Sequence, residues 1–432
     1  MVWIAQSGVN LSILSDQEKL QYWKDIDLQE VLELKDNTTS REDLNAQKEK
    51  VRRLIQDHFR KIGIGTNRNS NETPRNLQKE QIRKIHFHSR IDYIMKNRDF
   101  IKSSYRKVTK FYANGSEISP KDIEPEVIEV DNKSIFSTIF RFSTLYWSIP
   151  VSRGFGRRMR FVIMDKLNWK VIGIIGLCSP VFNLAARDNW IGWTSGDRRE
   201  RLTNAMDAFV LGALPPYSNL LCGKLIASLV ATEEINRKYR EKYKNKVSVI
   251  TKKIHNPELI LITTTSALGH SSLYDRIKIN NRVLYNRVGS TKGFGHFHIS
   301  DQIFEEMVCL LEMIDDKYAH GNEFGNGPNW RMRVIRKCLE LLDMDQSLVN
   351  HGIRREIYCV PLAINFREYL KGETDKPEYD LFTLEEISEF CRQRWIIPRS
   401  KRNTSYLKVR KTFILEDLKR VMKDQNLLRW IE

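Results

Sequence analysis

The spacing of apolar residues is clearest in the central part of the chain, residues 134–300. Residues 134–146 carry apolar side chains at intervals of three or four, which is typical of an amphipathic helix. Two apolar runs follow at 159–164 and 170–178, separated by a polar stretch at 165–168. This arrangement predicts a β-hairpin with a buried second strand.

The segments after the hairpin alternate between strand and helix patterns. Residues 205–214 and 259–265 are rich in apolar and β-branched side chains and predict two strands. Between them, residues 219–243 repeat leucine at helical spacing and predict one long helix. A short helix at 271–278 and two strands within 283–300 complete the series. This order predicts a mixed sheet in an α/β layer.

The regions on either side are predicted to be helical and basic. Their helices are expected at about 16–33, 40–59, 74–97, 301–318, 329–342 and 383–394, with loops at 63–73 and 322–329. We therefore divide the chain into a basic helical N-terminal region (1–130), an α/β core (131–300) and a basic helical C-terminal region (301–432).

The charge balance points to a polyanionic partner. The chain carries 71 Lys and Arg against 54 Asp and Glu, a net charge of +17 at pH 7. Clustered positive charge favours nucleic acid, because binding to phosphates releases counterions. The clusters lie at 75–110, at 153–160 and from residue 392 onward. A solvated helical face would also explain the first cluster, so that alternative stays open.

Cysteine usage and hydropathy predict a soluble cytoplasmic protein. The six cysteines lie far apart without a CxxC pair, which favours reduced core thiols over disulfides or a zinc site. No apolar run reaches 18 residues, and the first residues lack the basic segment of a signal peptide. We therefore expect no membrane partner.

The most informative segment is 183–193, which directly follows the apolar strand at 170–178. It holds Arg187, Asp188, Trp190 and Trp193 in what the pattern predicts to be a loop. Charged and aromatic residues after a buried strand are typical of functional sites in α/β proteins. Arg187 and Asp188 could form a buried ion pair. Alternatively, the guanidinium and the indoles could stack on bases, with Asp188 facing a cleft.

This segment resembles the signature of the Druantia anti-phage system protein DruA family. The resemblance continues through 198–201, 206–216 and 219–227, and it covers roughly residues 150–300. It implies a role in bacterial defence against phage. It also implies partner subunits in a multi-gene system, including a large helicase-type protein.

The order of elements is also similar to the Gcn5-related N-acetyltransferase (GNAT) fold, so we expect an α/β, GNAT-like mixed sheet. In that fold a helix start binds the pyrophosphate of acyl-coenzyme A. The residues that would take this place are Asn219, Cys222, Gly223 and Lys224. Only one of the two expected glycines is present, and Pro215 and Pro216 remove two backbone donors. We therefore expect no coenzyme A binding and no bound cofactor.

Two enzymatic alternatives stay open. The first is an acyl- or carbamoyltransferase in which Asp188, His270 or Tyr274 transfers protons. The second, weaker alternative is a metal-dependent nuclease that uses His296 and His298, which would share one face of a strand. No third ligand has a diagnostic spacing, so two hydrogen-bonded strand histidines are favoured over a metal site.

The favoured function is binding of nucleic acid, with DNA preferred, through its phosphates. The run at 153–160 combines arginines with glycines, a composition that suits bidentate phosphate contacts, although solvated arginines would explain it equally well. A glycine-rich segment at 289–295 resembles a phosphate-binding turn but lacks the Walker spacing. The predicted contacts are Arg153, Arg157, Arg158, Arg160, Arg187, Trp190, Trp193 and Lys292.

Overall fold

A computed structural model describes residues 41–62, 78–152, 154, 156–247, 254, 256–319 and 330–422. The predicted helix at 16–33, the loops at 63–73 and 322–329, and Arg153 lie outside the described residues. The chain forms two compact units. The smaller unit comprises Met1–Asn67 and Asp301–Leu348, and the larger one comprises Arg68–Ser300 and Val349–Glu432.

The described helices and strands are numbered in chain order. The helices are α1 (Arg41–Ile62), α2 (Lys79–Lys96), α3 (Arg98–Val108), α4 (Ile135–Thr144), α5 (Ala185–Ile191), α6 (Ser195–Arg201), α7 (Cys222–Ser228), α8 (Glu233–Tyr243), α9 (Asp301–Glu312), α10 (Trp330–Leu341), α11 (Phe366–Lys371), α12 (Leu384–Cys391), α13 (Ile397–Arg402) and α14 (Phe413–Met422). The strands are β1 (Pro125–Glu129), β2 (Arg158–Asp165), β3 (Lys170–Cys178), β4 (Ala205–Ala213), β5 (Leu261–Thr265), β6 (Lys278–Ile279), β7 (Arg282–Val283), β8 (Asn286–Ser290) and β9 (Glu356–Pro361). None of the described helices has both the length and the apolar composition that crossing a bilayer requires.

In the smaller unit, α9 packs against both α1 and α10. Val51, Ile55 and Phe59 form the buried stripe of α1, at the four-residue spacing that places side chains on one helix face. Lys50 of α1 also forms a salt bridge of 2.8 Å with Glu306 of α9. The predicted amphipathic helix at 40–59 is therefore confirmed as α1.

The larger unit is built on a seven-stranded sheet with the order β1-β2-β3-β4-β5-β9-β8. Neighbouring strands are antiparallel except for β4 and β5, which are parallel. The strands β6 and β7 pair separately. The predicted α/β class with a mixed sheet is therefore confirmed.

The parallel pair is short. It runs from Ala205 opposite Leu261 to Asp207 opposite Thr263, after which the two strands part. Directly beyond this point, β4 has a bulge: Phe209 has no pairing partner in β3, because Ala208 pairs with Leu177 and Val210 pairs with Gly176. Such a bulge bends the strand. Asp207 and Thr263 therefore lie where the sheet opens.

Helices cover both faces of the sheet, and the alternation along β2 shows how. Met159, Phe161 and Ile163 are buried in a core shared with α7, α8 and α12. Val162 and Met164 point to the opposite core, shared with α3, α4 and α14. The period of two along a strand therefore serves two apolar layers.

Several predicted elements are confirmed and one is corrected. The hairpin is β2–β3, the helix at 134–146 is α4, and the strands at 205–214 and 259–265 are β4 and β5. The single helix predicted at 219–243 is wrong. Phe382 accepts a hydrogen bond from the Glu233 amide and donates one to the Ala231 carbonyl, and this tertiary pairing separates α7 from α8. Five of the predicted core thiols are buried, whereas Cys309 is exposed.

Two further predictions are wrong. The signature segment is not a loop but contains α5, which ends at Gly192 in a left-handed conformation, and is followed by α6. The segment at 296–298 is not a strand, because the Ile299 amide bonds back to the His296 carbonyl in a turn. Short-range turn bonds override the strand-like alternation in this segment.

Candidate functional site

The signature segment forms a buried ion-pair network. Arg187 is fully buried, and its Nε lies 2.8 Å from Asp188 Oδ1. The same guanidinium donates to the carbonyls of Val181 and Phe182 at 2.9 and 3.0 Å. Arg198 of α6 approaches the other oxygen of Asp188 at 3.0 Å. Asp188 is only 5% exposed, so of the two alternatives the buried ion pair is the one observed.

Both tryptophans of the signature segment are engaged in packing. Trp193 is 8% exposed, and its Nε1 donates to the Leu370 carbonyl at 2.6 Å. Trp190 stacks on Phe366 with 5.0 Å between ring centroids, and Arg367 lies 4.8 Å from its ring. Stacking on a base would require these contacts to be displaced.

Asp207, which the sequence analysis missed, lies beside this network where β4 and β5 part. Its Oδ1 accepts a hydrogen bond of 2.7 Å from the Thr263 hydroxyl. Burial raises the pKa of Asp207 to about 6, opposed by the Thr263 hydrogen bond and the charge of Arg187. A carboxyl group inside an apolar strand was the signal that could have found it.

Tyr274, a predicted proton-transfer residue, lies close enough to Asp207 for their charges to interact. Burial raises the pKa of Tyr274 to about 12, and a hydrogen bond with Thr264 partly opposes that rise. The phenol also stacks on Tyr285, with 4.6 Å between ring centroids. Tyr274 is therefore protonated at neutral pH and held in place by an aromatic neighbour.

The arginines predicted to contact phosphate lie in different directions. Arg157 turns inward, where it donates to the Thr203 carbonyl at 2.5 Å and to the Ala205 carbonyl at 3.0 Å. A phosphate would have to displace these bonds. Arg158 and Arg160 are two residues apart on β2 and share the opposite face.

Arg158 and Arg160 line a half-open cavity of about 640 Å³, here called the basic cavity. Arg141 and Lys242 line it as well, and none of its described lining residues is acidic, although Glu129 beyond the lining pairs with Lys242 at 2.6 Å. Burial and the neighbouring charge of Arg158 lower the pKa of Arg160. An anion in the cavity would offset both effects, because it restores electrostatic stabilisation to the guanidinium.

The predicted pyrophosphate position at the start of α7 is covered by the C-terminal segment. Arg399 donates to the Asn219 carbonyl at 3.2 Å, and the ammonium of Lys224 lies 4.4 Å from the ring centroid of Trp395. Cys222 is fully buried. A side chain at Gly223 would begin 3.1 Å from Leu273. This helix start therefore has little room for a ligand.

Two groups of histidines stand out among the described residues. His270 lies 2.9 Å from Glu356 and 3.2 Å from Asp275, two carboxylates that the sequence analysis did not connect with it. His86 and His351 instead lie with His298 in a buried aromatic cluster. Burial lowers the pKa of both His86 and His351 to about 3, with smaller contributions from the charges of neighbouring histidines and an arginine.

The remaining predicted contact, Lys292, is exposed on the segment after β8. Of the predicted site residues, the structure therefore brings Asp188 and Arg187 together in an ion pair and Arg158 and Arg160 together in the basic cavity. His270 lies in a separate cluster. Long-range partners such as Asp275 and Glu356 gave no local signal, because they meet only through the sheet.

The fold and these sites define a mixed α/β protein with a basic cavity and a buried ion-pair network beside the parting of two parallel strands. The chain belongs to the Druantia protein DruA family, whose model matches residues 76–372. It is 41% identical over 367 residues to the Druantia protein DruA of Escherichia coli (strain UMEA 4076-1). The aligned region covers 84% of this chain and 90% of that protein. The predicted family is confirmed, and membership makes the chain a component of an anti-phage defence system. No solved structure matches the chain.

Proposed function

We propose that this chain binds nucleic acid, with DNA as the target, through phosphate contacts in the basic cavity. The observation that carries the proposal is the convergence of Arg141, Arg158 and Arg160 on one cavity whose described lining contains no carboxylate. Guanidinium groups bind phosphate oxygens in a bidentate manner, so paired arginines suit a phosphodiester backbone. Contacts of this kind position nucleic acid without reading its sequence.

The basic cavity is partly preorganised for an anion. The guanidinium of Arg141 donates to the Asn97 side-chain oxygen at 3.1 and 2.8 Å and lies 3.9 Å from the Phe100 ring. Arg160 contacts the neutral side chain of Asn132. Arg141 and Arg160 are held by neutral partners and keep their charge available, so less ordering is needed when a phosphate binds. Lys242 differs, because it pairs with Glu129.

We also propose that the sheet of the larger unit is GNAT-like. Antiparallel strands β1 to β4, a parallel β4–β5 pair joined through α7 and α8, and the parting after Asp207 support a GNAT-like sheet. Arg399 and Trp395 cover the start of α7, which supports the expectation that this GNAT-like core does not bind coenzyme A. We further propose that the other subunits of the system, including a helicase-type protein, act on the nucleic acid that this chain binds.

The test is a fluorescence anisotropy titration with labelled single-stranded and double-stranded DNA. Replacing both Arg158 and Arg160 with alanine should weaken binding by roughly 100-fold or more, because each charged hydrogen bond contributes about 1.5 kcal/mol or more. The matched control replaces Arg237 and Lys238, which pair with Glu234, and removes the same charge. Equal losses in the two double variants, or no binding by the unaltered protein, would contradict the proposal.

A further inference from the structure

We propose that His270, Asp275 and Glu356 form a binding site for one divalent transition-metal ion. The ligand atoms of these three side chains all lie within 4.8 Å of one another. Both His270 and Asp275 follow the end of β5, and Glu356 is the first residue of β9. The carbonyl of Glu356 accepts a hydrogen bond of 2.8 Å from the Ser266 amide, just after β5. The carboxyl ends of parallel strands are common places for ligands in α/β sheets.

The distances within the cluster fit a shared ion. Nδ1 of His270 lies 2.9 Å from Glu356 Oε2, and Nε2 lies 3.2 Å from Asp275 Oδ2. Ligand atoms about 2.1 Å from a metal lie roughly 3 to 3.5 Å apart at tetrahedral or octahedral angles. The two short contacts end on different nitrogens of the ring, so an ion held by both carboxylates would replace one of them. The 56% exposure of His270 gives its ring room to turn and present one nitrogen.

One side chain, Tyr358, contacts both carboxylates of the cluster. The Tyr358 hydroxyl lies 3.0 Å from Asp275 Oδ1 and 2.5 Å from Glu356 Oε2. A single hydroxyl donates to one of these carboxylates at a time. The other carboxylate oxygen near Tyr358 therefore receives no hydrogen bond from it. Partners of this kind, which fix the orientation of ligating carboxylates, are typical of metal sites.

One further charged group borders the cluster. Arg287 also contacts the cluster, with its guanidinium 3.0 Å from Glu356 Oε1. This contact leaves Glu356 Oε2, which faces His270, for the ion.

The donor set indicates the class of metal. One imidazole nitrogen with two carboxylates suits Zn²⁺, Mn²⁺ or Fe²⁺, whereas Mg²⁺ and Ca²⁺ prefer oxygen donors throughout. Three protein ligands leave open positions for water or for a phosphate oxygen. The proposed metal site does not depend on the basic cavity, because it uses different residues.

Isothermal titration calorimetry of the full-length protein with ZnCl₂ and with MnCl₂, in the absence of nucleic acid, tests the site. We expect one ion per chain, and His270→Ala or Glu356→Gln should weaken binding by at least about tenfold. Tyr358→Phe should weaken it less, since Tyr358 orients the carboxylates without binding the ion. The control is Glu389→Gln, which alters an exposed carboxylate paired with Arg392.

Far-ultraviolet circular dichroism should show the unaltered fold for His270→Ala, because the imidazole is largely exposed. Binding of both metals that is unchanged in His270→Ala, or reduced equally by Glu389→Gln, would overturn the proposal. Failure to bind either metal would do so as well. None of these results bears on binding of DNA at the basic cavity.

Discussion

Replacing Asp188 with asparagine should strongly destabilise the larger unit. The carboxylate lies 2.6 Å from the fully buried guanidinium of Arg187 and 3.0 Å from that of Arg198, and it accepts a hydrogen bond of 3.2 Å from the Leu184 amide. The substitution removes the negative charge and leaves Arg187 buried without its directly paired carboxylate. Breaking a buried pair in this way costs about 3 to 5 kcal/mol. At roughly 2 to 4 °C per kcal/mol, the melting temperature should fall by on the order of 10 °C.

Urea denaturation followed by circular dichroism measures the loss directly. The matched control is Asp197→Asn in the same segment, where the carboxylate belongs to an exposed capping box with Thr194 and where the loss should be about 1 kcal/mol or less. Replacing Arg187 and Asp188 together with Met and Leu should recover part of the stability, because the fully buried guanidinium is removed with its partner and only the less buried Arg198 loses a counter-charge. If Asp188→Asn proved no more destabilising than Asp197→Asn, the buried-pair argument would be refuted.

Three further predictions concern other parts of the larger unit. Below pH 6.5 the unfolded chain takes up more protons than the folded one, because burial lowers the pKa of His86 and His351 to about 3. Each histidine should therefore cost about 2 kcal/mol of stability between pH 7 and pH 5; an unchanged pH profile after His351→Gln would contradict this. Calorimetry with acetyl-coenzyme A should show no binding, since Arg399 and Trp395 cover the start of α7; a low-micromolar dissociation constant would reverse that conclusion. Trp193→Ala should lower the free energy of unfolding by about 3 kcal/mol or more. Urea denaturation should show a smaller loss for the same change at half-buried Trp190, and a larger loss at Trp190 would contradict the packing of these two side chains.

Local periodicity predicted those elements whose partners are close in sequence. The β2–β3 hairpin needs only two apolar runs and a polar turn at 165–168, and α4 needs only its apolar stripe. In contrast, β9 was placed in a region predicted to be helical, because its identity depends on pairing with β5 almost a hundred residues earlier. The short apolar run at 357–360 is compatible with a strand, but four residues do not distinguish a strand from a buried helical turn.

The candidate site divides in the same way. The signature segment was found because Arg187 and Asp188 follow an apolar strand, but its helical form depends on the capping at Thr194 and on packing of α5 against β8 and β9. The direction of Arg157 could not be predicted, since it is set by carbonyls of Thr203 and Ala205. Residue type identifies a charge, whereas only the fold decides whether that charge faces solvent.

The central claim is that phosphates bind in the basic cavity, and the salt dependence of DNA affinity tests it most directly. The logarithm of the association constant should fall linearly with the logarithm of salt concentration, with a slope of about −0.9 for each phosphate contacted on duplex DNA. Replacing both Arg158 and Arg160 with alanine should reduce the magnitude of this slope by about two contacts. The control lacking Arg237 and Lys238 should keep the slope of the unaltered protein. An identical slope in all three proteins would contradict the account.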